Sequence, residues 1–146
     1  MRTILVGYDG HEASDRALDR AIEEVRSSHG RLIVLAVLEL PLDPETPRNF
    51  GTLDDGPDPG IPAGLPPALE PVLEAARERV ASSGLTARFW WAAGDPAHEL
   101  VEAARARSAD AIVVGSHHHG FLSRAFGGDV AAEVRRAAGC EVIVAE

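Results

Sequence analysis

The chain has 146 residues, 45% of them hydrophobic, which is enough for a real core, so we expect one domain over residues 1–146. Its formal net charge of -9 opposes generic binding to nucleic acid or anionic membranes, since phosphate binding needs clustered cations. The chain contains no lysine, which excludes the lysine of a P-loop and a Schiff-base lysine.

Targeting signals are missing from the sequence. The N-terminal apolar run is too short for a signal peptide, and no segment approaches the roughly 18 apolar residues of a membrane span. The single Cys140 excludes an internal disulfide and fits a reducing compartment. We therefore expect a cytoplasmic protein in which Cys140 is a small buried residue before the last strand.

Predicted strands and helices alternate along the chain. In chain order they are a strand over 3–8, a helix over 13–28, a strand over 32–38, a helix over 69–83, a strand over 86–92, a helix over 96–107, a strand over 111–115, a helix over 130–138 and a strand over 141–145. Because three strands are apolar on both faces, we expect a parallel sheet covered by helices on each side.

Capping residues mark the ends of the predicted helices. Gly30, Gly84 and Gly139 follow three of them as C-terminal stops, and Asp95 precedes Pro96 as the N-cap of the third helix. In the strand over 86–92, Trp90 and Trp91 are expected on opposite faces.

The irregular segment over 41–67 is rich in Pro, Gly and Asp. This composition favours a flexible, polyproline-like surface loop. A lid over the carboxyl edge of the sheet is the alternative, because the loop leaves from that edge.

Ligands of parallel sheets sit outside the carboxyl ends of the strands, where the strand order reverses. The segments that emerge there are Gly7-Tyr8-Asp9, the residues after Val37, and Gly115 onward. Asp9 is either a ligand-contacting carboxylate or a cap or turn residue of the first helix.

Three segments together resemble the universal stress protein family: VGYDGHEASDRALDRAI, GDPAHELVEAARARSADAIVVGS and GGDVAAEVRRAAGCEVIVAE. The resemblance implies a three-layer α/β/α fold of the adenine nucleotide alpha hydrolase-like, Rossmann-like type, with an open five-stranded parallel sheet of order 3-2-1-4-5. It also implies a homodimer paired through the C-terminal strand, residues 141–145. That apolar strand would leave an exposed edge in a monomer.

Nucleotide-binding members of that family carry a phosphate pattern of Gly, two residues, Gly, nine residues, then Gly followed by Ser or Thr. Here Gly115 and Gly128 match, whereas His118 and Asp129 replace the second Gly and the hydroxyl residue. The nucleotide-type cleft that the resemblance implies comprises Gly7, Tyr8, Asp9, Val37, Gly115, Ser116, His117, His118, Gly128, Asp129 and Val130.

Both replacements oppose phosphate binding. A side chain at His118 obstructs close approach of the backbone to phosphate. The Asp129 carboxylate would repel a phosphate about 4 Å away by roughly 4 kcal/mol at an effective dielectric near 20. Alternatively, Asp129 is the N-cap of the last helix, and its carboxylate would then occupy the place of a phosphate.

His117, His118 and His119, with Asp129, are weak candidates for a metal site of Zn or Ni type, or for holding Mg²⁺ or Mn²⁺ on a nucleotide. Adjacent loop residues seldom point at one ion, so the ordinary alternative is one inward histidine and two in water. We predict no metal site.

No established catalytic motif is found, so we expect no robust catalysis. The leading hypothesis is a dimeric stress-response module that binds ligands or proteins, with impaired or absent ATP binding. The alternative is a competent ATP- or AMP-binding protein with metal-bridged phosphates and slow ATP hydrolysis. The sequence identifies no protein partner.

Overall fold

The computed structural model describes residues 2–39, 65–116 and 130–146. The strands are β1 (Thr3–Gly7), β2 (Arg31–Glu39), β3 (Arg88–Gly94), β4 (Ala111–Gly115) and β5 (Glu141–Ala145). The helices are α1 (Glu12–Ser28), α2 (Glu70–Ser82), α3 (Pro96–Ala106) and α4 (Val130–Ala137), with a 3₁₀ turn at Pro67–Leu69 before α2. Within these ranges no helix combines the length and apolarity needed to span a membrane.

The five strands form one parallel sheet of order β3-β2-β1-β4-β5, which confirms the predicted order. In the central strand, Val6 pairs with Val34 of β2 on one side and with Val113 of β4 on the other. The sheet order therefore reverses between β1 and β4, because the chain builds outward through β2 and β3 before it crosses to β4.

Two apolar clusters cover the two faces of the sheet. The first joins α1 and α2 to one face and includes Leu18, Leu73 and Val34, all fully buried. The second joins α3 and α4 to the other face and includes Leu35 and Val134. The predicted three-layer α/β/α architecture is confirmed, and it explains why the middle strands are apolar on both sides.

The capping predictions hold at Asp95 and Gly84, whereas neither Gly30 after α1 nor Gly139 after α4 has the left-handed φ of a helix stop. The Asp95 side chain accepts a 3.0 Å hydrogen bond from the backbone N–H of His98, and Gly84 after α2 has φ of 79°. After α1, however, the left-handed residue is His29, with φ of 53°. Gly30 is needed for a different reason: a Cβ there would overlap the carbonyl oxygen of Arg2.

The two tryptophans of β3 face opposite sides of the sheet, as predicted. Trp90 is buried in the α3 and α4 layer, with the Arg107 guanidinium 4.3 Å from its ring centroid, and Trp91 packs against the α1 and α2 layer. Cys140 is half-buried, less than predicted, because it lies in the turn before β5. Burial raises the pKa of its thiol.

Candidate functional site

A cleft opens at the carboxyl ends of β1, β2 and β4, where the strand order reverses. It encloses about 90 Å³. The described residues of the predicted cleft all line it, and they are Gly7, Tyr8, Asp9, Val37, Gly115, Ser116 and Val130. The topology brings them together from four separate segments, because parallel strands end at the same edge of a sheet.

The remaining predicted site residues lie outside the described residues. They are His117, His118, His119, Gly128 and Asp129. Residues 41–64 of the predicted loop also fall outside, and the rest of that loop leads into the 3₁₀ turn. Among residues 2–39, 65–116 and 130–146, no cluster of three His, Cys, Asp or Glu side chains could hold a metal ion.

Asp9 combines the two roles proposed for it, lining the cleft while it fixes the start of α1. Its Oδ1 accepts hydrogen bonds from the His11 backbone N–H at 3.0 Å and from the Ser14 hydroxyl at 2.8 Å. The His11 imidazole Nδ1 lies 3.3 Å from the same oxygen. The second oxygen, Oδ2, accepts no hydrogen bond from the described residues.

Tyr8 borders the cleft, but its hydroxyl is bound elsewhere. The Tyr8 hydroxyl donates a 2.6 Å hydrogen bond to Asp15 of α1, and Asp15 lies 3.5 Å from the Arg79 guanidinium of α2. Arg79 also binds Asp19 at 3.0 Å. Burial first, and the hydrogen bond to Asp15 second, raise the pKa of the phenol well above its ordinary value. Through Asp15 and Arg79, Tyr8 therefore links this edge of the cleft to both α1 and α2.

Close packing against α1 also requires glycine at position 115, which the phosphate pattern did not indicate. A Cβ at this position would lie 2.6 Å from the carbonyl carbon of Ala13 and 3.0 Å from its Cβ. The end of β4 therefore touches the backbone of the first turn of α1. At Gly7, a Cβ would lie 3.1 Å from the Leu100 side chain. Both glycines let helices approach the carboxyl edge of the sheet.

The wall of the cleft formed by β2 includes residues that the sequence analysis missed. Leu35, Val37 and Glu39 alternate along the strand and all line the cleft. Leu35 and Val37 belong to the apolar layer under α3 and α4, so the cleft continues that layer. Because residues two apart in a strand lie on the same face, the position of Glu39 in the cleft could have been predicted from that of Val37. Ser14 was also missed, and no local pattern indicates its role.

The described part of the cleft is acidic and contains no basic side chain. Asp9 and Glu39 are its charged residues among those described. Burial raises the pKa of the Glu39 carboxyl, and the negative charges of Asp9 and Asp95 raise it further. An electrostatic environment of this kind favours ligand groups that donate hydrogen bonds over groups that carry negative charge.

Comparison with known proteins agrees with the fold. The family model described as "Universal stress protein family" matches residues 1–146. The chain belongs to the universal stress protein family. A curated relative, universal stress protein YxiE of Bacillus subtilis, is 29% identical over 149 residues, covering 97% of this chain and 96% of the relative.

Solved structures of other family members have the same fold. A universal stress protein in complex with cAMP is 25% identical, with a TM-score of 0.72 and coverage of 99% of this chain and 96% of that one. The universal stress protein of Archaeoglobus fulgidus in complex with dAMP is 21% identical, with a TM-score of 0.69 and coverage of 100% and 98%. The predicted family and fold are thus confirmed.

Proposed function

We propose that this universal stress protein is a non-catalytic stress-response module whose cleft binds adenosine or an adenine mononucleotide and binds ATP weakly. The observation that carries this proposal is the composition of the cleft. Its described walls are apolar, its charged groups are Asp9 and Glu39, and no cation lines them. Such a site suits an aromatic base and a ribose better than three phosphates.

The apolar wall of the cleft and the Asp9 carboxylate would contact different parts of the ligand. Leu35, Val37 and Leu100 offer the surface that a base would cover. Asp9 Oδ2 is an acceptor for a ribose hydroxyl, since Oδ1 is already occupied by the turn into α1. The cAMP and dAMP bound to the two relatives each carry one phosphate group.

Polyphosphate is disfavoured by charge. The sequence places Asp129 and His118 where nucleotide-binding members have a hydroxyl residue and Gly. Each further phosphate brings negative charge toward Asp9 and Glu39, which both line the cleft. At an effective dielectric near 20, each pair about 8 Å apart contributes roughly 2 kcal/mol of repulsion.

Calorimetric titration with adenosine, AMP and ATP, with and without Mg²⁺ or Mn²⁺, tests the proposal. We expect adenosine or AMP to bind at least about tenfold more tightly than ATP, a difference of about 1.4 kcal/mol. The alternative, a competent ATP-binding protein with metal-bridged phosphates and slow hydrolysis, requires tight ATP binding that depends on the metal. Low-micromolar ATP binding, or steady release of phosphate from ATP, would refute the proposal.

A double variant tests the physical cause. Replacing Asp129→Ser and His118→Gly together should increase affinity for ATP while adenosine affinity stays unchanged. Asp110→Asn is a matched control for the charge, because Asp110 binds the Thr3 backbone N–H at the opposite end of β1, roughly 20 Å from Asp9. If the double variant gains nothing over this control, charge at the phosphate loop does not limit ATP binding.

We also propose that two copies of the chain pair through β5. In the sheet, β5 is an edge strand, and its apolar residues Val142, Ile143 and Val144 are only partly covered. A second copy would satisfy the open edge and bury these side chains. Sedimentation velocity over a range of micromolar concentrations should give a dimer, and a monomer throughout would contradict the pairing.

A further inference from the structure

Building on the proposed nucleoside site, we propose that Glu39 is a specificity-determining residue that makes the cleft favour neutral adenosine over its phosphorylated forms. Glu39 is the last residue of β2 and lines the cleft beside Val37. A ligand that rests on the apolar wall therefore meets this carboxylate. The phosphate pattern described above does not include this position.

The backbone fixes where the Glu39 side chain points. Residues of β2 alternate between the two layers, with Val34 and Ala36 in the α1 and α2 layer and Leu35 and Val37 in the other. Glu39 follows Val37 by two residues, so it shares the face of the cleft. Its backbone pairs with Gly94 of β3, which holds the end of the strand in the sheet.

Glu39 adds to a concentration of negative charge on two sides of the cleft. Asp9 of the β1–α1 turn lines the same cleft, and Asp95 before α3 is close enough for its charge to act on Glu39. The buried Glu99 carboxyl packs over Gly94, the residue paired with Glu39. Burial first, and then the negative charges of Asp9 and Asp95, raise the pKa of the Glu39 carboxyl, so its charge is partly desolvated.

A partly desolvated carboxylate that lines a cleft discriminates between ligand groups. A ligand hydroxyl or amine that donates a hydrogen bond stabilises this carboxylate, because the donor replaces a hydrogen bond from water. It repels a phosphate oxyanion that enters the same cleft, since water screens the two charges weakly there. The same residue thus strengthens nucleoside binding and weakens nucleotide binding.

The experiment compares adenosine with cAMP by calorimetry in the wild-type protein and in Glu39→Gln. Cyclic AMP keeps the base and the 2′-hydroxyl of adenosine, but its O3′ and O5′ are joined in a phosphodiester that carries one negative charge. The change in the affinity ratio between the wild-type protein and Glu39→Gln therefore reports the charge at position 39. We expect Glu39→Gln to bind cAMP about fivefold to tenfold more tightly, whereas adenosine affinity stays equal or falls. Glu39→Asp keeps the charge and should keep the wild-type preference for adenosine.

Glu78→Gln is the matched control, because Glu78 is exposed on α2 and the substitution removes the same unit of charge away from the cleft. It should leave both affinities unchanged, and circular dichroism of each variant checks folding. An equal change for both ligands in Glu39→Gln would overturn the role of Glu39 while preserving the nucleoside site. Absence of binding by either ligand to the wild-type protein would overturn the proposed function and this inference together.

Discussion

Gly115→Ala is expected to weaken the fold even when no ligand is present. The new Cβ would lie 2.6 Å from the carbonyl carbon of Ala13, whereas carbon atoms in ordinary contact are about 3.5–4.0 Å apart. Relief therefore requires a shift of about 1 Å between β4 and α1. Neither side yields easily, because the atoms that meet are backbone and Gly115 is held in register with Ala145 of β5.

The magnitude follows from the cost of inserting a methyl group into a packed contact. Such insertions typically cost 1–3 kcal/mol, and a backbone obstacle places this one near about 3 kcal/mol. For a chain of 146 residues, that loss lowers the midpoint of thermal unfolding by roughly 10 °C. The variant should remain folded at room temperature, since domains are usually stable by about 5–15 kcal/mol.

The loss of stability in Gly115→Ala is measured by urea and thermal unfolding. Circular dichroism and the fluorescence of Trp90 and Trp91 follow the transition. Gly139→Ala is the control, because a Cβ at Gly139 meets nothing within 4 Å and its effect should stay within about 0.5 kcal/mol. Equal stability of the two variants would refute the close approach of β4 to α1. Gly115 would then be needed only for a ligand.

Three further outcomes are expected. Asp95→Ala should lower the free energy of unfolding by about 1 kcal/mol, while Asp95→Asn, which can still cap α3, should change it little. Tyr8 is the only tyrosine, so absorbance at alkaline pH reports the ionisation of its phenol. Because folding raises the pKa of Tyr8, the stability linked to the protonated phenol is lost as pH rises above about 10. Ionisation of Tyr8 at the ordinary pKa of a tyrosine would contradict the buried hydrogen bond. Burial, Asp9 and Asp95 raise the pKa of Glu39, and the Glu99 carboxyl lies nearby at Gly94. The affinity of the wild-type protein for cAMP should therefore increase as pH falls through the pKa of Glu39. An equal increase in Glu39→Gln would contradict this prediction.

Local patterns in the sequence predicted most of the fold. The strand over 111–115 and the strand over 141–145 coincide with β4 and β5, because short apolar runs bounded by charge leave few alternatives. The strand over 86–92 is displaced to Arg88–Gly94, since its ends depend on pairing with β2 and not on composition. Family resemblance supplied the strand order, which short-range periodicity does not contain.

Contacts between segments that are distant along the chain could not be predicted from local sequence patterns. Gly30 was predicted to end α1 by its own conformation, yet it is required by the backbone of Arg2, 28 residues earlier. Gly115 matched a phosphate pattern, yet it also meets Ala13 across the sheet edge. Nothing in the residues next to a glycine indicates which backbone will pass close to it.

The sequence by itself determined the family, the alternation of strands and helices, and the edge of the sheet at which a ligand is expected. These are properties of composition, spacing and motif. Only the tertiary structure decided that Tyr8 is linked through Asp15 to Arg79 of α2, and that Gly115 lies against Ala13 of α1. Those relations depend on how segments far apart in the chain meet at the carboxyl edge of one sheet, and packing alone fixes that geometry.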